Sequence, residues 1–340
     1  MSTTVSPEFT RNLPKAELHV HIEGTLTPSL RFKLAQRNHI DTGYSTIDEM
    51  KKMYNYNSLS SFLKVYYAAM NVLQTEQDFY DLAMDYLHRA VKNNVRHVEI
   101  FFDPQAHTSR GISFSTVING LYRATVDARA LNIDAQLIMC FLRDFSRDSA
   151  QSTLEEALNY KDKIIGVGLD SDEHNNPPMK FYNQFTEASA QGFHLTAHAD
   201  PDQKDSIEHI QQLLEIICVD RIDHGTNIVE DPDLVELAAK RKIGLTSCPL
   251  SNTFLNADMK GTEVIELLNK GVKISIHSDD PAYFGGYIAD NYYAIANKYH
   301  LTKEQIVTLA CNSFETSWIS NEQKAIYLRE VQDYVQNFNN

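Results

Sequence analysis

The chain has 340 residues, 43% of them hydrophobic and 22% charged, enough for a large packed core, which excludes disorder as its main state. Its 45 Asp and Glu outnumber 31 Lys and Arg, giving a formal net charge of −14 that argues against phosphate-backbone binding, so no nucleic-acid partner is expected. Cys140, Cys218, Cys248 and Cys311 form no CxxC pair, the N-terminal stretch lacks a signal-peptide core, and no run of about 18 apolar residues occurs; a cytoplasmic protein without a membrane partner is expected.

In chain order, short apolar and β-branched runs predict strands at residues 16–21, 97–103, 135–142, 164–170, 194–199, 221–224, 243–247 and 272–277. Segments of helical period lie between them at 76–92, 115–130, 178–190, 206–217, 232–240 and 262–269. Such alternation implies parallel strands with helices packed outside. Eight units predict an α/β chain folded as a (β/α)₈ barrel, because a doubly wound sheet usually stops nearer five or six strands. The helical stretch at about 28–93 reads as an insertion after the first strand that could cover the active face. Further helices are predicted at 288–300, 303–312 and 321–337, and one domain over 1–340 fits the pattern.

Histidines carry the chemical signal. His19 and His21 are two apart on a strand, so both imidazoles project to one face. That spacing suits a rigid metal half-site, or alternatively a hydrogen-bonded pair in the core. His198 and His224 end the fifth and sixth strands, and Asp279 and Asp280 follow the eighth. In a barrel these positions share the rim where catalytic groups gather. Three imidazoles and a carboxylate can hold a divalent ion that lowers the pKa of a bound water to about 7, and His224 could take that water's proton. Strand four has no lysine to bridge two metals, so one metal per chain is expected. His107, after the second strand, is a candidate substrate contact. Tyr54, Tyr56, Phe62, Tyr66 and Tyr67 in the insertion suit either core packing or a covering aromatic face.

The segments LPKAELHVHIEG (13–24), VEIFFDPQ (98–105), GVGLDSDE (166–173), RIDHG (221–225), CPLSN (248–252) and SDDPAYFGGY (278–287) resemble, nearly end to end, the adenosine/adenine deaminase branch of the amidohydrolase superfamily. The resemblance implies zinc bound by His19, His21, His198 and Asp279, with His224 orienting or deprotonating water. It also implies that Asp280 holds purine N7 and that Ser171 lies near the N3 edge. Glu23 after HxH, with FFDP and DDPAYFGGY, is similar to the adenine-specific members; nucleoside-specific ones usually carry Asp at Glu23, against the ribose. Glu23 would then favour free base over nucleoside, or merely reshape a loop contact. The implied reaction is hydrolytic deamination of a 6-aminopurine, adenine first, in purine salvage. The implied partner is a small purine, and a homo-oligomer is compatible with the sequence. A His₃Asp set also accepts other divalent metals.

One departure stands out. The family usually reads His-Ala-Gly-Glu after strand five, and the Glu protonates the ring. Here the stretch is His198-Ala199-Asp200-Pro201-Asp202, which puts Pro201 at the Glu position. Asp202 or Asp200 could supply the proton; the substrate could instead be adenosine or a 6-substituted purine that needs the acid less. A purine-binding protein with impaired catalysis is a further alternative, and a hydrolase of another amidohydrolase type, such as a dipeptidase or phosphoesterase, is a third.

Overall fold

Each strand pairs in parallel with the next strand in the chain: β1 Lys15–Glu17, β2 Val95–Phe102, β3 Asp134–Leu142, β4 Gly166–Asp170, β5 His194–Ala199, β6 Arg221–His224, β7 Gly244–Ser247 and β8 Lys273–Ile276. The computed structural model describes residues 5–52, 59–199 and 203–339. Beyond the regular ladders, a parallel bridge joins Val20 to Asp279: Asp279 N donates to His19 O at 3.0 Å, and His21 N donates to Asp279 O at 3.1 Å. That bridge brings the first and last strands together, and the fold is a (β/α)₈ barrel.

β5 and β6 match the sequence expectation residue for residue, whereas β1 is shorter than the predicted 16–21. The cause is local. Leu18 N donates to the His277 ring at 3.0 Å instead of to a strand carbonyl, so the ladder breaks where the two histidines begin.

Two apolar layers explain why the strands read as nearly continuous apolar runs. Val98, Ile100 and Phe102 of β2 pack outward under the helices, while Phe101 meets Ile138 and Cys140 in a separate inner cluster. The remaining interior is polar. Arg221 of β6 donates to Glu99 of β2 at 2.7 Å, a bond between opposite sides of the ring that must cross the barrel. His97 contacts Glu99 at 3.0 Å and Asp134 at 2.7 Å, and the Arg221 guanidinium lies 4.1 Å from the Trp318 ring centroid.

Burial works to raise the Glu99 pKa, but Arg221 and then His97 outweigh it and hold the carboxyl at about 2. Its stabilising contribution is therefore complete above its ordinary value of 4.5 and is lost as pH falls towards 2. Glu99→Gln should flatten the fall in melting temperature between about pH 5 and pH 3. It should also cost about 3–5 kcal/mol at neutral pH by stranding Arg221. Thermal melts across that pH range check both effects.

Helices Pro28–Arg37, Ile47–Lys52 and Leu59–Ala69 fill the stretch after β1, and Glu76–Lys92 packs against Phe114–Asp127 in the outer layer. The Thr75–Asp78 capping box starts Glu76–Lys92 where the periodicity begins. Among the helices not named from the sequence are three short ones on the rim: Pro104–Thr108, Pro249–Asn256 and Pro281–Phe284. Each follows a strand and opens on proline, whose preset φ suits a first helical turn, but none is long enough to show a period. Among the described residues, no helix is long and apolar enough to cross a membrane.

Candidate active site

The rim at the carboxyl ends of the strands is shaped by backbone that ordinary residues avoid. Ser171 after β4, His224 at the end of β6 and Asp279 after β8 have φ of 73°, 59° and 64°, in the left-handed region. Each such residue costs about 1–2 kcal/mol. Asp103, Cys248 and Asp280 precede the three rim prolines and share one conformation: φ/ψ of −112°/82°, −123°/81° and −113°/74°. A side chain at Gly24 would overlap the Asp280 carboxylate, so glycine is required there for Asp280 to lie against β1's extension.

His19, His21, His198, His224 and Asp279 are all buried and converge. Hydrogen-bond partners assign the tautomers. Thr246 Oγ1 donates to Asp223 Oδ1 at 3.0 Å and so accepts the proton of His19 Nδ1 at 2.8 Å. His19 Nε2 is left as a buried lone pair without a hydrogen-bond partner, 3.4 Å from Asp279 Oδ1. His198 Nδ1 donates to Leu169 O at 3.1 Å, which likewise bares its Nε2. His21 Nδ1 lies 3.3 Å from Asp170 Oδ2, and its Nε2 faces His198 Nε2 at 3.1 Å and Asp279 Oδ1 at 3.5 Å.

Two imidazole lone pairs at 3.1 Å repel unless positive charge lies between them. The surroundings demand that charge. Burial opposes a cation on His21, but the hydrogen bond to Asp170 and the charges of Asp280, Asp170 and Asp279 prevail and raise it to about 10. Burial and the adjacent imidazoles push His198 well below its ordinary value. The donor set, its bare nitrogens and its need for positive charge fit a divalent metal, and carboxyl or hydroxyl partners behind His19 and His21 orient the rings as metal-binding histidines require. Cys248 Sγ stands within 4.8 Å of His19 and Asp279 ligand atoms, but burial raises its thiol well above the usual range, which disfavours the thiolate form.

His224 Nε2 is 3.7 Å from Asp279 Oδ2. Burial, then the nearby His19, lower it to about 3, so it is a neutral base at physiological pH; Asn252 is its side-chain hydrogen-bond partner. Asp280 shows the reverse. Burial and then the Asp279 charge raise its carboxyl well above the usual range, and its Oδ1 has no hydrogen-bond partner among the described residues.

His21, His198, His224, Asp279 and Asp280 form one wall of a cavity. The other wall is apolar and comes from helix Leu59–Ala69, with Leu59, Phe62, Leu63, Tyr66 and Tyr67, and from Phe284. Phe62 packs on Phe284 with ring centroids 4.9 Å apart. An aromatic face opposite convergent polar groups suits a flat heterocycle. Tyr67 Oη donates to Ser171 Oγ at 2.7 Å, tying this helix to the β4 rim. Tyr67→Phe should raise KM about 3- to 10-fold with a smaller change in kcat, since it removes one neutral hydrogen bond that holds the cover closed. Steady-state kinetics separates the two.

Asp280 and Ser171 line the cavity as expected, but Glu23 does not. Its Oε1 accepts from His107 Nε2 at 2.8 Å and from Asp103 N at 3.2 Å. His107, whose Nδ1 meets Arg110 Nη2 at 2.9 Å, is buried and is not a lining residue either. Asp200, Pro201 and Asp202 lie outside the described residues, as do Tyr54 and Tyr56. Asp103 and Asp170 line the cavity and were missed; Asp103 had a signal, being a carboxylate at a strand end before proline, like Asp280.

The family described as adenosine deaminase matches the chain over residues 14–334. A protein named adenine deaminase from Acinetobacter baylyi is 50% identical over 327 residues, covering 95% of this chain and 98% of that one. The crystal structure of adenine deaminase from Arthrobacter aurescens is 43% identical, with a TM-score of 0.92 over 95% of this chain and 99% of that one. An amidohydrolase from Burkholderia ambifaria, solved with bound zinc, is 25% identical, with a TM-score of 0.88 over 97% of this chain and 94% of that one.

Proposed function

We propose, because the chain belongs to the adenosine deaminase family, that its site converts adenine and water to hypoxanthine and ammonia with the help of zinc. The observation that carries this reading is the convergence of four buried histidines with Asp279, beside the buried carboxyl of Asp280, at a cavity with an aromatic wall. The name of the Acinetobacter relative supports adenine as substrate, and the zinc in the Burkholderia structure supports the metal.

His19, His21, His198 and Asp279 would hold the ion. When bound, it would acidify a water enough for attack on C6 at neutral pH. The chain's own groups do the rest. Asp280 hydrogen-bonds N7 and draws electron density from the six-membered ring. His224, neutral, takes a proton from the attacking water and returns it to the departing amine, so that the C6–O bond forms, the C6–N bond breaks and ammonia leaves. The aromatic helix excludes bulk water, which strengthens each of these contacts.

Protonation of N1 falls to Asp202, with Asp200 as the second candidate. Pro201 also favours a second reading, a substrate whose 6-substituent departs without that proton. Initial rates on adenine, adenosine and a series of 6-substituted purines, with Asp202→Asn and Asp200→Asn alongside, test both. Adenine turned over best, with about a 10²–10⁴-fold loss in Asp202→Asn alone, is the expected result. Adenine inert while another purine reacts overturns the substrate, and silence across the series overturns the activity.

A further inference from the structure

We propose that Asp103 selects the free base over the nucleoside by accepting the N9–H of adenine, a hydrogen that a ribosylated purine lacks. The proposal rests on the adenine reading above. β1 lies between β8 and β2 in the barrel, so Asp280 and Asp103 flank its extension from either side. Both precede a proline, and their backbone angles agree within 8°. Both line the cavity, both are at least nine-tenths buried, and each has an Oδ1 without a hydrogen-bond partner among the described residues.

Two matched carboxyl groups across one strand suit the two nitrogens that flank C8 of a purine. N7 is an acceptor and would be held by Asp280; N9 of the free base is a donor and needs an acceptor. Glu23 is the weaker candidate, because it is not among the cavity's lining residues and its Oε1 is engaged by His107 and by Asp103 N, which leaves only its buried Oε2 without a hydrogen-bond partner among the described residues. Its part is to hold the Asp103 turn in place. A buried acceptor left facing a 9-substituent would lose its partner, which is how polar sites reject analogues most strongly.

The test compares kcat/KM for adenine and 9-methyladenine in wild type, Asp103→Ala and Asp103→Asn. Binding of purine and 9-methylpurine, which have no amine to lose, is measured in parallel by calorimetry on the metal-replete chain. Wild type should prefer adenine by at least about 10³-fold. Asp103→Ala should lower adenine kcat/KM by about 10–10²-fold, mostly through KM, and leave 9-methyladenine within about threefold. Asp103→Asn, which keeps an acceptor oxygen, should recover most adenine binding. Equal losses on both substrates, or a wild type that accepts 9-methyladenine as readily as adenine, overturn the proposal. Should wild type leave adenine unchanged, the deaminase reading fails, and the binding pair still decides: purine held at least about tenfold tighter only while Asp103 is present supports its role, and equal binding overturns it.

Discussion

Replacing Asp279 with Ala should abolish turnover of adenine, with kcat lowered by at least about 10⁴-fold, and bring the bound metal well below one ion per chain. Asp279 reaches three of the four histidines: Oδ1 is 3.4 Å from His19 Nε2 and 3.5 Å from His21 Nε2, and Oδ2 is 3.7 Å from His224 Nε2. It is the anionic member of the proposed donor set. Without it, the imidazoles keep their orientations through Thr246, Asp170 and Leu169 O but lose the charge that draws a cation inward. The size of the loss follows from chemistry, because free water has a pKa of about 15.7 and metal-bound water about 7. Metal analysis and hypoxanthine formation on the same sample check the prediction, with a melting curve to establish folding. A folded Asp279→Ala chain that keeps one metal and a near-normal rate would refute the assignment.

His224→Ala should give a smaller and different defect. The metal stays, since His19, His21, His198 and Asp279 remain, while kcat drops about 10²–10⁴-fold, the usual worth of a general base. KM should move little, because His224 acts on water and not on the purine. Held at about 3 by burial and its neighbours, His224 is uncharged across neutral pH, so the deficit should be constant between about pH 6 and pH 9. A deficit that changes across that range would contradict a base that is uncharged throughout it. Loss of metal together with activity would instead make His224 a ligand.

Strand positions and the histidine pattern were legible because both follow simple periods. His198 lies one residue before the end of β5 and His224 closes β6, within the predicted strands, and the i, i+2 spacing of His19 and His21 survives although the strand does not. The two histidines still turn to one side because isolated bridges to Asp279 and Phe101 keep that stretch extended. What the sequence concealed depends on contacts between distant segments. Asp170 ends β4 like any strand residue, and only the fold sets it 3.3 Å from His21. Asp223 looked like a neighbour of His224, yet it acts through Thr246 on His19, from the next strand round the ring. Glu23 shows why a motif position does not fix a role: the sequence allowed either substrate selection or a loop contact, and the fold engages its Oε1 with His107 and the Asp103 backbone. The three rim helices were hidden by brevity, though the proline that opens each one also places Asp103, Cys248 and Asp280 at the site.

The most direct measurement is hypoxanthine formation from adenine by metal-free chain as zinc is added back from zero to two equivalents. Activity should rise in proportion to zinc and level off at one equivalent per chain, with none at the start. Full activity in the metal-free chain, or activity that appears only as the second equivalent is filled, would contradict a single ion held by His19, His21, His198 and Asp279.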